Sequence, residues 1–166
     1  MTFIDLVVGQ AVFLDANTLV YHFQPHPVFG AACNQLITRI EQQELKGFTS
    51  THILTEVAHR LMMLEGSTLP GWGAAKVRQR LQRQPSAIQN LTQFRTAIDS
   101  ALNSSIQILT VAPLLVLAAA AISQTAGLLS NDALVVALMQ FNGLANLASH
   151  DADFDRVPGI IRYAPA

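Results

Sequence analysis

The chain has 166 residues, of which 51% are hydrophobic and only 13% charged, and its formal net charge is −1. This length fits one compact domain, residues 1–166, better than two, and the apolar content excludes a disordered chain. The charge balance lacks the basic surplus that nucleic-acid-binding proteins often carry. The sole cysteine, Cys33, excludes an intrachain disulfide, agrees with a reducing cytoplasm, and is expected to be buried.

Neither a signal peptide nor a membrane span is predicted. Residues 1–10 lack a basic segment and include Asp5. The longest apolar stretch, residues 106–122, is short for a bilayer and is interrupted by polar residues and a proline. We interpret it as a buried strand followed by a buried helix, so no membrane partner is expected.

In the first third of the chain, short apolar runs alternate with helical patterns. Residues 12–14 predict a buried strand that ends at Asp15, and residues 22–27 predict a turn-rich loop. An amphipathic helix is expected over residues 28–43, and a second strand over 47–50. A further helix, capped by Ser50 or Thr51, carries Glu56 about one turn in and closes at Gly66.

Residues 65–105 form the most polar part of the chain and predict a helical lobe on the domain. Helices are expected over residues 73–83 and 87–102, with a break at Pro85. The first contains four of the ten basic residues. This stretch is either a track for an RNA backbone or, more commonly, the solvated face of a helix. The basic residues are Lys76, Arg78, Arg80 and Arg83.

The last third resumes the alternation. Residues 106–111 predict a strand, and Pro113 opens a helix that ends near Gly127. Another helix starts at residues 130–132 and stops at 142–143, before a last strand over 144–148. Short apolar strands alternating with helices predict an α/β fold in which helices sandwich a parallel β-sheet.

Four carboxylates fall at strand ends or helix starts of this predicted sheet. Any one of them alone is best explained as a helix cap or a solvated acid. Together, however, they would meet beyond the carboxyl ends of the strands, where mutual repulsion favours a bound cation. Hard oxygen ligands suit Mg²⁺ or Mn²⁺, and such a site is suited to metal-assisted phosphodiester hydrolysis. The acids are Asp15, Glu56, Asp132 and Asp151, with Asp153 as a possible fifth.

The chain resembles the PIN domain family, and within it the VapC-type toxins of toxin–antitoxin pairs. The resemblance lies in four short motifs that run in order from near the start to near the end of the chain. These are residues 12–21 (VFLDANTLVY), 49–58 (TSTHILTEVA), 130–137 (SNDALVVA) and 147–154 (LASHDADF). It implies a metal-dependent endoribonuclease that acts on single-stranded RNA or tRNA and is restrained by a cognate antitoxin.

The same resemblance implies roles for individual residues. Asp15, Asp132 and Asp151 would be metal ligands, and Glu56 would be a ligand or would position the attacking water. Asp151 is preferred over Asp153 because it lies nearer the strand end. Three polar residues would support the acids: Asn17 by holding Asp15, Asn131 beside Asp132, and Ser149 in the place of a threonine that many relatives have.

Several alternatives remain open. His52, Glu56 and His59 share one helix, but two turns separate the histidines, so a zinc site is less favoured than surface positions. Glu56 can also pair with Arg60. A non-catalytic binding module with the same fold, or a hydrolase of another phosphoester, would use the same scaffold. The high apolar content also favours a homodimer.

Overall fold

The computed structural model describes residues 1–166 as a five-stranded parallel sheet flanked by helices. Its strands follow the order β3-β2-β1-β4-β5. They are β1 (Ala11–Leu14), β2 (Lys46–Ser50), β3 (Gln107–Leu109), β4 (Asn146–Ala148) and β5 (Ile161–Tyr163). The helices are α1 (Ala16–Phe23), α2 (Gly30–Glu41), α3 (Thr51–Ser67), α4 (Val77–Arg83), α5 (Pro85–Asn90), α6 (Gln93–Leu102), α7 (Pro113–Ala126) and α8 (Ser130–Phe141), with short 3₁₀ helices at Phe3–Asp5 and Ala152–Arg156. The predicted fold class is confirmed.

The central strands are buried on both faces because they are apolar at successive positions, as parallel strands covered by helices require. Val12, Phe13 and Leu14 of β1 are fully inaccessible. The main core holds 35 buried residues, and a separate cluster of three lies under the helical lobe. Cys33 is buried in the main core, as expected, and so is Phe154.

The strand order reverses between β1 and β4. The chain first builds outwards from β1 to β2 and β3, and then returns to the other side of β1. Parallel pairing sets Phe13 beside Leu147 and Leu14 beside Ala148, and the Asp15 N–H donates to the Ala148 carbonyl at 3.1 Å. In open parallel sheets such a reversal leaves a crevice beyond the strand ends, where ligands bind.

Two elements were not predicted, and two local predictions are wrong. Residues 16–23 form helix α1, which the sequence analysis did not predict, and β5 pairs in parallel with β4 as an unpredicted fifth strand. In the lobe, the first helix begins at Val77, and Pro85 opens a second short helix before α6. Gly66 lies one residue before the end of α3 instead of closing it. A Cβ at this position would lie 3.0 Å from Cγ1 of Val77, so the glycine allows α4 to pack closely on α3.

The prediction of a buried helix after β3 is also wrong. Most of α7 is exposed, including Leu114 at 78% and Leu117 at 70%, whereas α8 beneath it is largely buried. Tested for membrane spans, no single helix is long and apolar enough to cross a bilayer. Helices α7 and α8 pass that test only as a pair, and the pair is bent by 112°.

Candidate metal centre

Polar side chains are rare in the interior and are gathered in one place. Six polar or charged residues are buried, and all of them lie at the carboxyl ends of β1, β2 and β4 or in the turn that follows. Buried polar groups cost free energy unless they are hydrogen-bonded, so a cluster at one edge of the sheet marks a built site. The six residues are Asp15, Asn17, Thr18, Thr49, Ser50 and Ser149.

Asp15 is the centre of this cluster and is only 8% exposed. It caps helix α1, with Oδ1 accepting the Ala16 N–H at 2.7 Å. Its Oδ2 accepts the Asn17 side-chain amide at 2.6 Å and the Ser149 hydroxyl at 2.7 Å. Burial raises the pKa of Asp15, while the hydrogen bonds from Ser149 and Ala16 work against that rise. A carboxylate has about four acceptor sites, so these three donors leave about one, on Oδ1, free for a ligand.

Asn17 and Ser149 form a hydrogen-bonded frame around Asp15, as the resemblance implied for them. The Asn17 amide lies 3.1 Å from the Ser149 hydroxyl, and its Oδ1 accepts the His150 N–H at 2.9 Å. The same hydroxyl accepts the Asp151 N–H at 3.0 Å. Residues after β1 and after β4 are therefore held in one fixed arrangement.

Thr18 secures this frame and was not identified from the sequence. Its hydroxyl donates to the Ala148 carbonyl at 2.8 Å, which ties the first turn of α1 to the end of β4. In the sequence, only its position three residues after Asp15 could have indicated this role.

Asp132 lies in the first turn of α8, half-buried, within electrostatic range of the other acids. Burial, followed by the negative charges of four further carboxylates, raises its pKa to about 6. Those carboxylates are Asp15, Asp151, Glu56 and Asp153. The five predicted acids therefore share one electrostatic environment, and nearby cations do not fully offset their repulsion.

Glu56 and Arg60 form the i, i+4 ion pair considered in the sequence analysis, at 2.5 Å on α3. The Glu56 side chain is only 20% exposed, and its charge acts on both Asp15 and Asp132. The positive charge of Arg60 also lowers the pKa of Asp15. The ion pair does not remove Glu56 from the acidic cluster.

Asp151 and Asp153 differ in their surroundings. Asp151 is half-buried, and its Oδ1 accepts the Asp153 N–H at 2.8 Å at the start of a 3₁₀ helix. Asp153 is exposed and ion-paired with Arg156. Asn131 is exposed in the first turn of α8 beside Asp132. Asp151 is thus the acid nearer the buried frame.

The donor set fits a hard divalent cation, although the side chains do not form a closed ligand shell. No three carboxylate, imidazole or thiol groups converge closely enough to hold a metal ion as they stand. What fits is the chemistry: oxygen donors on a rigid buried carboxylate, and uncompensated negative charge around Asp132. Zinc finds no such support, because neither His52 nor His59 belongs to a group of three possible ligands, and His59 is exposed.

The basic residues of the lobe divide into two groups. Arg80 donates to the carbonyls of Gly71 and Trp72, at 3.0 and 2.5 Å, and its guanidinium lies 5.9 Å from the Trp72 ring centroid. Lys76, Arg78 and Arg83 are exposed. Arg80 therefore braces the loop before α4, and the other three are open to solvent.

The fold and this acidic edge define an α/β protein with a charged site at its topological switch point. The chain belongs to the PIN domain family, whose model matches residues 12–160, which confirms the family resemblance. No curated protein matches the chain.

Solved structures of toxin–antitoxin proteins share the fold. VapBC2 from Rickettsia felis, bound to a promoter DNA fragment, is 16% identical with a TM-score of 0.58, covering 93% of this chain and 98% of that one. VapC20 from Mycobacterium tuberculosis, a sarcin–ricin loop cleaving toxin, is 16% identical with a TM-score of 0.60, covering 87% and 92%. A toxin–antitoxin complex from Klebsiella pneumoniae is 18% identical with a TM-score of 0.52, covering 90% and 95%.

Proposed function

We propose that residues 1–166 form a single nuclease domain that hydrolyses RNA phosphodiester bonds with the help of Mg²⁺ or Mn²⁺. The observation that carries this proposal is the confinement of all six buried polar residues to the switch-point edge of a PIN fold. A sheet edge that served only stability would not concentrate its buried polar groups, Asp15 among them, beside four further carboxylates, because each carries a desolvation cost.

In this proposal Asp15, Asp132 and Asp151 hold the cation, and Glu56 is a further ligand or orients the attacking water. Asp153 lies at the periphery of the centre, where its charge adds to the field. A bound divalent cation would activate water, orient the phosphate and neutralise the charge that develops on it. Asn17 and Ser149 fix the direction of the Asp15 carboxylate, and Asn131 is assigned a supporting role beside Asp132.

The exposed basic residues of the lobe are assigned to the RNA backbone. Lys76, Arg78 and Arg83 lie on or next to α4, which packs on the far end of α3 near Gly66. Ten residues of helix separate Gly66 from Glu56, or roughly 15 Å along the axis. Cations at that distance would bind phosphates some nucleotides away from the cut and would make RNA affinity dependent on salt.

We assign the protein to the toxin class of toxin–antitoxin pairs, with a structured RNA such as tRNA as substrate and a cognate antitoxin as partner. Support comes from the fold neighbours, which include a toxin–antitoxin complex and a toxin that cleaves the sarcin–ricin loop. A substrate and inhibitor of this kind would place the protein in the cytoplasm.

The exposed face of α7 is assigned to a homodimer. Leu114, Val116 and Leu117 are between 57% and 78% exposed, and the 14 residues of α7 include no charged side chain. Two copies of such a face can pack together without like-charge repulsion, and an exposed apolar patch of this kind favours burial.

The proposed activity is tested by incubating a mixed RNA pool with purified protein and Mg²⁺ or Mn²⁺. We expect cleavage that EDTA stops and that the Asp15→Asn variant lacks. Asp99→Asn, which removes an exposed carboxylate on α6, serves as the matched control and should cut normally. Equal cutting by Asp15→Asn would contradict the proposal.

A further inference from the structure

A group of aromatic rings lies beside the acidic centre, by which we mean Asp15, Glu56, Asp132, Asp151 and Asp153. These rings contribute no side chain to that centre. Four rings from two separate parts of the chain meet there: Tyr21, His26, Phe29 and His150. The His150 ring lies 4.4 Å from that of Phe29, and the His26 ring stacks on Phe29 at 4.9 Å with planes 13° apart. We call these four residues the ring group.

The ring group is joined to the acids through His150. This residue stands between Ser149 and Asp151, and its backbone N–H donates to Asn17, which in turn holds Asp15. The His150 side chain is exposed, while Tyr21, His26 and Phe29 are half-buried behind it. His150 is therefore an exposed ring that adjoins Asp151 in the chain and whose backbone is held by the same frame as Asp15.

The loop that carries His26 and Phe29 has a fixed shape. His26 Nδ1 accepts the N–H groups of Val28 and Phe29, at 3.2 and 3.3 Å, so the ring proton is on Nε2. Pro25 restricts the loop on one side and packs against the start of α2, where a Cβ on Gly30 would lie 3.1 Å from its Cα. The rings are held in place before any ligand arrives, which lowers the entropic cost of stacking on them.

We propose that the exposed ring of His150, supported by Phe29, His26 and Tyr21 behind it, stacks against one unpaired nucleobase adjacent to the scissile phosphate. This rests on the proposed ribonuclease activity and adds a base-binding surface to it. The ring group contains no carboxylate and lies next to a centre that is strongly acidic. A nucleotide matches both features, because its phosphate can bind a cation held by the acids and its flat base can stack on an aromatic ring.

The surface also restricts the substrate. A base reaches the face of a protein ring only after it leaves its own stack, which loops and single strands allow and a continuous duplex does not. Every base has a π-face, so the contact would select unpaired nucleotides and would be tolerant of sequence.

The test measures binding of an oligoadenylate of twelve nucleotides in the presence of Ca²⁺. The fluorescent base 2-aminopurine replaces adenine at each position in turn, and quenching of its fluorescence reports stacking. We expect quenching at one position by the wild type and none by His150→Ala, which should also bind about tenfold more weakly. His150→Phe, which keeps a ring, should restore binding. Phe141→Ala removes a 74% exposed aromatic at the opposite end of α8 from Asp132 and should leave binding unchanged.

A coupling cycle separates stacking from a structural effect. An abasic nucleotide at the quenched position should weaken binding by the wild type about tenfold and leave His150→Ala unaffected, because the variant has already lost that contact. Three results would overturn the proposed base-binding surface. They are an equal loss of affinity in both proteins on abasic substitution, wild-type affinity of His150→Ala for the intact oligonucleotide, and the absence of any quenched position. If any of these results is found while the wild type cleaves RNA and Asp15→Asn does not, the base-binding surface is rejected and the ribonuclease proposal stands. Base-coupled binding without cleavage would overturn that proposal instead.

Discussion

The Ser149 hydroxyl lies 2.7 Å from Oδ2 of Asp15, although 134 residues separate the two along the chain. It is the shortest link between the first and last parts of the acidic centre. A carboxylate that holds a metal ion is oriented by such outer contacts, and their loss typically costs 10- to 100-fold in metal affinity or activity.

Replacing Ser149 with alanine should therefore weaken Mn²⁺ binding by roughly 10- to 100-fold, because Asp15 loses a donor that fixes its direction. Ser149→Thr keeps the hydroxyl and should retain most of the affinity. Calorimetric titration with Mn²⁺ measures both. Ser105→Ala is the matched control, since Ser105 also donates to a carboxylate, Glu41, but at the surface. Unchanged Mn²⁺ affinity in Ser149→Ala would contradict the assigned role.

The acidic centre should destabilise the metal-free protein at neutral pH. The folded-state pKa of Asp132, about 6, lies above its ordinary value of 3.8. The folded state therefore binds the proton more tightly than the unfolded state, and the stability that this group contributes is lost as pH rises through that interval.

Asp132→Asn should consequently raise the Tm in EDTA at pH 7 and have little effect at pH 4. Partial exposure screens the charge, so we expect about 1 kcal/mol, or roughly 2–4 °C for a chain of this size. Thermal unfolding followed by circular dichroism measures the shift, with Asp99→Asn as the surface control. A lower Tm for Asp132→Asn at pH 7 would contradict the repulsion argument.

Introducing a charge on the exposed face of α7 should dissociate the proposed homodimer. Leu117→Glu would place like charges opposite one another in a two-fold interface, whereas Leu102→Glu, on a 58% exposed leucine at the end of α6, should not. Sedimentation velocity at micromolar concentration distinguishes monomer from dimer. A monomeric wild type, or a Leu117→Glu variant that remains dimeric, would rule out this face.

Gly47 in β2 leaves no room for a side chain, because a Cβ there would lie 2.7 Å from Cγ2 of Ile40 on α2. Gly47→Ala should lower the free energy of unfolding by about 1–3 kcal/mol through overpacking. Urea denaturation gives the value. The same substitution in an Ile40→Ala background should cost markedly less, and an equal cost in both backgrounds would show that the effect is not steric.

The sequence predicted the parts of the fold that follow from local pattern. The apolar run before Asp15 and the helical spacing around Glu56 and Asp132 identified β1, α3 and α8. Strand ends of a parallel sheet share one edge, and this geometric rule predicted that the acids would meet. No pattern identified β5, because three residues with Arg162 at their centre form a strand only by pairing with β4.

Helices α1 and α7 show why the remaining predictions failed. The first five residues of α1 are all buried, the polar Asn17 and Thr18 included, so they do not divide into the apolar and polar faces by which an amphipathic helix is recognised. Helix α7 is apolar on every side, and only the packed structure reveals which side the protein itself covers. The ring group depends on a meeting between the α1–α2 loop and the end of β4, which no local pattern encodes.

The position of β1 between β2 and β4 also has a consequence for synthesis of the protein. On a ribosome, Asp15 emerges early, and Ser149 is added 134 residues later. At about 5–20 residues per second, that interval lasts roughly 7–27 seconds. β4 in turn pairs with β5, so the acidic edge closes only once residues 161–163 are free of the exit tunnel. A nascent chain that has not yet folded β4 and β5 beside β1 would therefore lack the proposed activity.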